Sequence, residues 1–511
     1  MFLISLLSNN FISSKLIYNI STGLIAFWCV TYLIPTIKRL LTLPPGPWGL
    51  PIVGYLPFLE KNNEYKVLDR LAKKYGPVYS LNLGKDTAVI VNDWNHAKEV
   101  FKNDELLARP GRFAKNKFGV SIVEMSGEPW RVHRQNTVHL LRDLGLGKSS
   151  FDDKIIEEIQ QFLPKLEKGP VKNVFKTFLS TATNTISILL LGHGFEDDDD
   201  PVKQTLVDAL MITSQSGSQF SFFSSGLHPK INRLLMKPTE LTNEEAKMFE
   251  STRALPKYMQ NEIDQHKKKQ SKEFDDYIDG YLEEQKKRKN NDSNGNVPFD
   301  EETLRSNVVA FYVAGSETVS TTLTWAILYL IKYPEYYEKI RAEISDVIGF
   351  ERLPDYSDRN QMPMTMSFIY EVHRAATIVP ANLFRAASRD LKIGNFNVPK
   401  DSTVILNFWT INRDPSLYIK PDEFDPSRFL TDNGTKAVKP QFLTPFSKGK
   451  RGCPGEGFAN IEIFLYLVSI VQRYKIECEP GSILSFEADY TTIRRPKSIP
   501  PLIFTKVSEK N

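Results

Sequence analysis

The sequence predicts a mainly α fold with a small β part (α+β), preceded by one N-terminal transmembrane helix. Three observations carry this. Long apolar segments at helical spacing dominate, notably Val174 to Leu191, Asp300 to Lys332 and Glu456 to Tyr474. Runs rich in β-branched residues are few and short. The 22 residues from Leu16 to Ile37 carry no charge, enough to span the ~30 Å hydrocarbon core of a bilayer. The 511 residues are 41% hydrophobic and 25% charged, an ordinary globular composition that excludes a disordered, collagen-like or polytopic membrane chain. Net charge is 65 − 61 = +4, which gives no compositional case for nucleic acid. The cysteines, Cys29, Cys453 and Cys478, are odd in number and form no C-x-x-C pair, so neither a disulfide framework nor a zinc site is expected.

Taken in order, residues 1–40 read as the membrane anchor. Trp28 and Tyr32 suit an interface, and Lys38-Arg39 follows the apolar stretch as the positive-inside rule requires for a cytoplasmic body. Residues 41–54 hold four prolines between Pro44 and Pro51 and read as a stiff hinge between anchor and body. The body spans residues 55–511. Val78 to Leu83 and Thr87 to Val91 flank Gly84-Lys85-Asp86 and predict a hairpin, and Thr403 to Leu406 predicts a further strand. The Lys- and Glu-rich tract from Glu262 to Asn296 interleaves both signs and reads as a solvated helical face, not a nucleic-acid patch.

Asp300, with Glu301 and Glu302 behind it, predicts the N-cap of a helix that runs to Lys332 before Tyr333-Pro334 stops it. This helix is apolar on nearly every face, so it should cross the interior. In its middle stands Ala314-Gly315-Ser316-Glu317-Thr318, where a glycine and a carboxylate break local rules and suggest a site, a kink with a satisfied Glu being the bland alternative. Glu371-Val372-His373-Arg374 places opposite charges one helical turn apart. The strongest signal is Pro445 to Gly457, in which Cys453 sits on a glycine-rich loop before an apolar helix. Backbone N–H groups, the helix dipole and neighbouring Lys and Arg there predict a thiolate.

These residues resemble the cytochrome P-450 superfamily of haem-thiolate monooxygenases, of the membrane-anchored microsomal type. Phe446, Gly449, Arg451, Cys453 and Gly455 match its F-x-x-G-x-R-x-C-x-G loop, and the resemblance covers effectively the whole chain. Ala314 to Thr318 looks like its oxygen-activating helix motif, Glu371 to Arg374 like its E-x-x-R, and Phe424 to Phe429 like its meander. The resemblance implies a long central helix over haem b, with Cys453 as axial ligand of the iron. It further implies that Glu317 and Thr318 serve catalysis, with Trp130, Arg134, Arg385, Phe446, Arg451 and Ala314 around the cofactor. Electrons would come from an NADPH-cytochrome reductase, with cytochrome b5 as a further donor, and Lys448, Lys450 and Arg451 would offer that donor positive charge. The implied substrates are a lipophilic molecule and O2, and the implied location is the endoplasmic reticulum membrane with the catalytic domain facing the cytosol. Phe220, Phe222, Phe223, Ile378 and Val379 fall where the family lines its pocket. A haem-thiolate isomerase or dehydratase needing no reductase, and a non-catalytic haem-binding protein, are the alternative readings.

Overall fold

The computed structural model describes residues 18–27, 30, 34, 37, 42–111, 120–144, 149–215, 220, 223, 243–269, 275–290 and 297–507. Trp28, Cys29, Tyr32, Lys38, Arg39 and Phe222 lie outside the described residues. Among the described residues the longer helices are α1 (Glu64–Tyr75), α2 (Trp94–Lys102), α3 (Gly127–Asp143), α4 (Ser149–Phe162), α5 (Val174–Leu191), α6 (Pro201–Gln215), α7 (Asn243–Lys269), α8 (Tyr277–Asn290), α9 (Glu301–Lys332), α10 (Pro334–Val347), α11 (Pro363–Ala376) and α12 (Glu456–Arg473). The main sheet is small. β1 (Val78–Leu83) and β2 (Asp86–Val91) pair antiparallel from Val78↔Val91 to Leu83↔Asp86. After β3 (Arg385–Ala386), β4 (Thr403–Leu406) returns parallel to β2 and antiparallel to β3. Two ribbons near the C-terminus use β5 (Tyr474–Cys478), β6 (Ala488–Tyr490), β7 (Arg494–Pro496) and β8 (Leu502–Lys506), pairing β5 with β8 and β6 with β7.

α9 is the axis of the molecule. The Asp300 side chain accepts from the Thr303 amide at 2.7 Å, and Glu301 and Glu302 complement the helix dipole in the first turn. Leu304, Val308, Tyr312, Val319, Leu323 and Trp325 are buried in one core with α5 and α12. The helix runs without interruption from Glu301 to Lys332, with Gly315 near its middle. The glycine has a packing reason. A Cβ there would stand 2.8 Å from Ile186 Cδ1, so its absence lets α5 close onto α9.

The proline-rich segment is docked along β1. Ser80 donates from its amide to Pro45 O at 2.8 Å and from its hydroxyl to Pro44 O at 2.7 Å, and the Tyr55 amide donates to Asn82 O at 2.6 Å. A Cβ on Gly46 would lie 1.9 Å from Ser80 O. β1 is the outer strand of its sheet, so this segment covers an edge that would otherwise present unpaired backbone groups. Among the described residues one helix is long and apolar enough to cross a membrane, α5, and 78% of it is buried within the protein. It is a core helix.

Candidate functional site

The Cys453 loop is built by glycine and closed by backbone bonds. Gly449 has φ 72° and its Cα faces Phe101 O, which a Cβ would approach to 2.4 Å. The Gly452 amide donates to Gly449 O at 2.9 Å and the Cys453 amide to Phe446 O at 2.8 Å, after which α12 begins at Glu456. The Phe446 ring meets the His373 ring edge-on with centroids 5.4 Å apart. Cys453 is accessible yet closely surrounded by protein. Burial raises its thiol above the ordinary value, and the Gly455 amide and Arg134 pull it back only in part. Two influences thus oppose each other at Cys453, desolvation raising the thiol and the Gly455 amide and Arg134 lowering it.

Four guanidinium groups converge on this loop. Arg134 donates to Gly452 O at 2.6 Å, and Arg385 to Lys448 O at 3.4 Å. Arg451 bonds the carbonyls of Leu107 and Met125 at 2.8 and 2.5 Å and lies 3.9 Å over the Trp130 ring. Arg109 bonds Val123 O, Leu383 O and Phe384 O at 2.9, 3.0 and 2.7 Å. Arg385 is 1% exposed, and its Nε and Nη1 have no hydrogen-bond partner. Among the described residues no carboxylate bonds any of the four. Burial, with mutual repulsion at Arg109 and Arg451, pushes Arg109 down to about 9, Arg385 to about 10 and Arg451 to about 8. Arginine stays protonated in proteins, so such a cluster calls for an anion with several acceptor oxygens. Buried N–H groups without acceptors, beside a cysteine at a helix N-terminus, fit the carboxylates and iron of a haem.

Arg451 is thus turned inward and does not present charge to a partner, and Lys450 is tied to Asp104 at 2.5 Å. Arg109 escaped the sequence reading because a lone arginine before a proline, in an irregular stretch, matches no pattern.

On α9 the two central residues look different ways. The Thr318 hydroxyl donates to Ala314 O at 2.8 Å, and Thr318 lines a cavity of about 30 Å³ with His373, Ile378, Val379, Phe446 and Ala459. Glu317 points instead to β7, where Arg495 Nε lies 3.9 Å from its carboxylate. Arg495 too was missed, since nothing near it in sequence marks a partner for Glu317. Burial pushes the Glu317 carboxyl up to about 7 against the pull of Arg495. Phe220 and Phe223 pack on Phe384 at 5.2 and 5.5 Å in a core that includes β1.

Below the loop Glu371 and Arg374 form a two-bond ion pair, both at 2.7 Å, with side chains 0% and 1% exposed. Arg374 also donates to Asn412 O, Pro421 O and Glu423 O. Glu371 accepts from the Asp425 amide at 2.8 Å and lies 3.3 Å from Arg428 Nε. The pair is a bolt between α11 and the meander, with every strong donor and acceptor answered.

A family model described as Cytochrome P450 matches residues 44–499. Cytochrome P450 2J5 of Mus musculus is 32% identical over 468 residues, covering 89% of this chain and 90% of that protein. Cytochrome P450 2J2 of Homo sapiens is 32% identical over 448 residues, 86% of each chain. Cytochrome P450 18a1 of Drosophila melanogaster is 29% identical over 471 residues, 89% of this chain and 85% of that one. With that match and a site that fits haem b, the chain belongs to the cytochrome P450 family of haem-thiolate monooxygenases.

Proposed function

We propose that Cys453 would supply the thiolate ligand of a haem iron, and that Trp130, Arg134, Arg385 and Arg451, joined by Arg109, would hold its propionates. The observation that carries this reading is the convergence of four guanidinium groups beside the Cys453 loop, none hydrogen-bonded by a carboxylate among the described residues, with Arg385 buried and two of its nitrogens unanswered. Haem, when bound, supplies the activation of O2 that inserts one oxygen atom into an organic substrate. The protein's own contributions are positional. Cys453 gives up a proton that burial otherwise retains. Phe446 packs beside the loop against His373, and Ala314 holds the Thr318 hydroxyl. Thr318 offers that hydroxyl to the substrate side, and Glu317 stores or releases a proton near neutral pH. Glu371, Arg374 and Arg428 keep the loop in register.

The electron donor is an NADPH-cytochrome reductase, with cytochrome b5 as a second donor, and the substrate is lipophilic. Lys448 remains as a partly exposed cation on the loop for such a partner. Residues 1–40 form a single-pass anchor in the endoplasmic reticulum membrane, 41–54 the hinge and 55–511 the cytosolic catalytic domain. Exposed Ile20, Leu24, Ile25, Phe27, Val30, Ile34 and Ile37 support the anchor, because so much apolar surface in one short stretch calls for lipid.

The test is the reduced-plus-carbon-monoxide difference spectrum. The wild type is expected to show the strongly red-shifted Soret band of thiolate ligation, and Cys453→Ala to lose it. Thr318→Ala should retain the band but release more hydrogen peroxide per NADPH. A band in Cys453→Ala unchanged from wild type refutes the ligand assignment.

A further inference from the structure

Between Arg305 and Lys332 the sequence holds one charged residue, Glu317. The group that answers it comes from the far end of the chain. Arg495 stands on β7 opposite Asp489 of β6, with its guanidinium 5.1 Å over the Phe175 ring of α5. Its Nε lies 3.9 Å from Glu317 Oε1, and the two side chains are 13% and 9% exposed. That separation is too long for a hydrogen bond, and Glu317 Oε1 has no hydrogen-bond partner.

Among the described residues, other buried ionisable groups on helices packed against α9 have surroundings of their own. Glu262 of α7 meets His193 at 3.1 Å, His373 of α11 meets Phe446, and Glu462 of α12 faces Glu158. Asp489 faces Arg495 across the β6–β7 ribbon and attracts its guanidinium. Around Gly315 and Glu317, α5 contributes the apolar Ile186 and Phe175.

We propose that Arg495 is a positioning residue for proton delivery, acting on the Glu317 carboxyl through charge and leaving Oε1 free to pass a proton. The proposal rests on the relay role given to Glu317 above. Burial by itself would keep the carboxyl neutral, whereas a hydrogen-bonded ion pair would lock it as the anion. At 3.9 Å without a shared proton, the guanidinium makes both forms accessible at physiological pH. In each cycle the acid form gives up one Oε proton to the reaction and the carboxylate regains one from water. Arg495 keeps its own proton throughout.

Difference infrared spectroscopy of the haem-loaded protein, titrated through pH, reads this directly. A protonated-carboxyl C=O band absent from Glu317→Gln should titrate near neutrality in the wild type. In Arg495→Gln or Arg495→Met, either of which suffices, its midpoint should rise by about one unit or more, and Arg495→Lys should bring it back toward wild type. Hydrogen peroxide released per NADPH, with reductase present, should change with pH in parallel. A midpoint unmoved in both neutral variants, while Glu317→Gln raises peroxide release, overturns the Arg495 assignment and leaves the relay reading standing. Peroxide release in Glu317→Gln equal to wild type at every pH overturns the relay reading, and the role of Arg495 with it.

Discussion

Glu462→Gln should remove a pH dependence of stability that the wild-type protein carries in its core. Glu462 lies midway along α12, 0% exposed, facing α4 and α5. Neither carboxyl oxygen has a hydrogen-bond donor in place, because the adjacent Thr185 hydroxyl gives its proton to Thr181 O at 2.9 Å. Glu158 stands nearby, already accepting from Thr181 and Asn184 at 2.8 and 2.6 Å. Burial, reinforced by the Glu158 charge, pushes Glu462 from an ordinary 4.5 up to about 8. The folded protein therefore binds a proton here that the unfolded chain releases above pH 4.5. Stability from this group is fully present below that value and falls as pH rises toward the folded pKa. The slope is about 1.4 kcal/mol per pH unit, and the total on the order of 3–5 kcal/mol by pH 8. For a chain of this size, at ~2.1 cal/mol/K per residue, that corresponds to about 1 °C in Tm per kcal/mol. Differential scanning calorimetry of both proteins from pH 5 to 8.5 should show the Tm of Glu462→Gln gaining on the wild type by about 3–5 °C across the range. The amide shifts the whole curve by a constant, which does not matter. Tm curves that run parallel over this range refute the buried neutral acid.

Glu371→Gln leaves Arg374 buried beside a neutral amide and should cost on the order of 3–5 kcal/mol, read as lower Tm and lower haem content at purification. Arg385→Met should act with opposite signs in the two states. Removing an uncompensated buried cation raises or preserves the Tm of the haem-free protein, while losing a charged hydrogen bond speeds haem transfer to apomyoglobin about 10–100-fold. Gly46→Ala would push a Cβ to within 1.9 Å of Ser80 O and should lower Tm by an amount worth about 1–3 kcal/mol, whereas Gly111→Ala, with nothing within 4 Å, should not.

Much of the architecture was legible because it is local. The β1–β2 hairpin, β4, α5 and the Asp300-capped α9 follow from side-chain period, turn residues and capping, each decided within a few residues of the chain. The Cys453 loop was equally legible, since its glycines and cysteine are contiguous. Tertiary structure decided what depends on distant partners. Arg109, from a stretch without a motif, joins Arg385 and Arg451 because carbonyls of two separate segments, at Val123 and at Leu383-Phe384, converge on it. Arg495 meets Glu317 across 178 positions of chain, and no periodicity carries that pairing. Protonation also belongs to the fold. A sequence shows which charges neighbour a cysteine, but how far the surrounding protein desolvates its thiol depends on the fold. The sequence by itself determined which groups the site owns. The tertiary structure decided which of them face one another and in what charge state, because both depend on distances and dielectric that only packing sets.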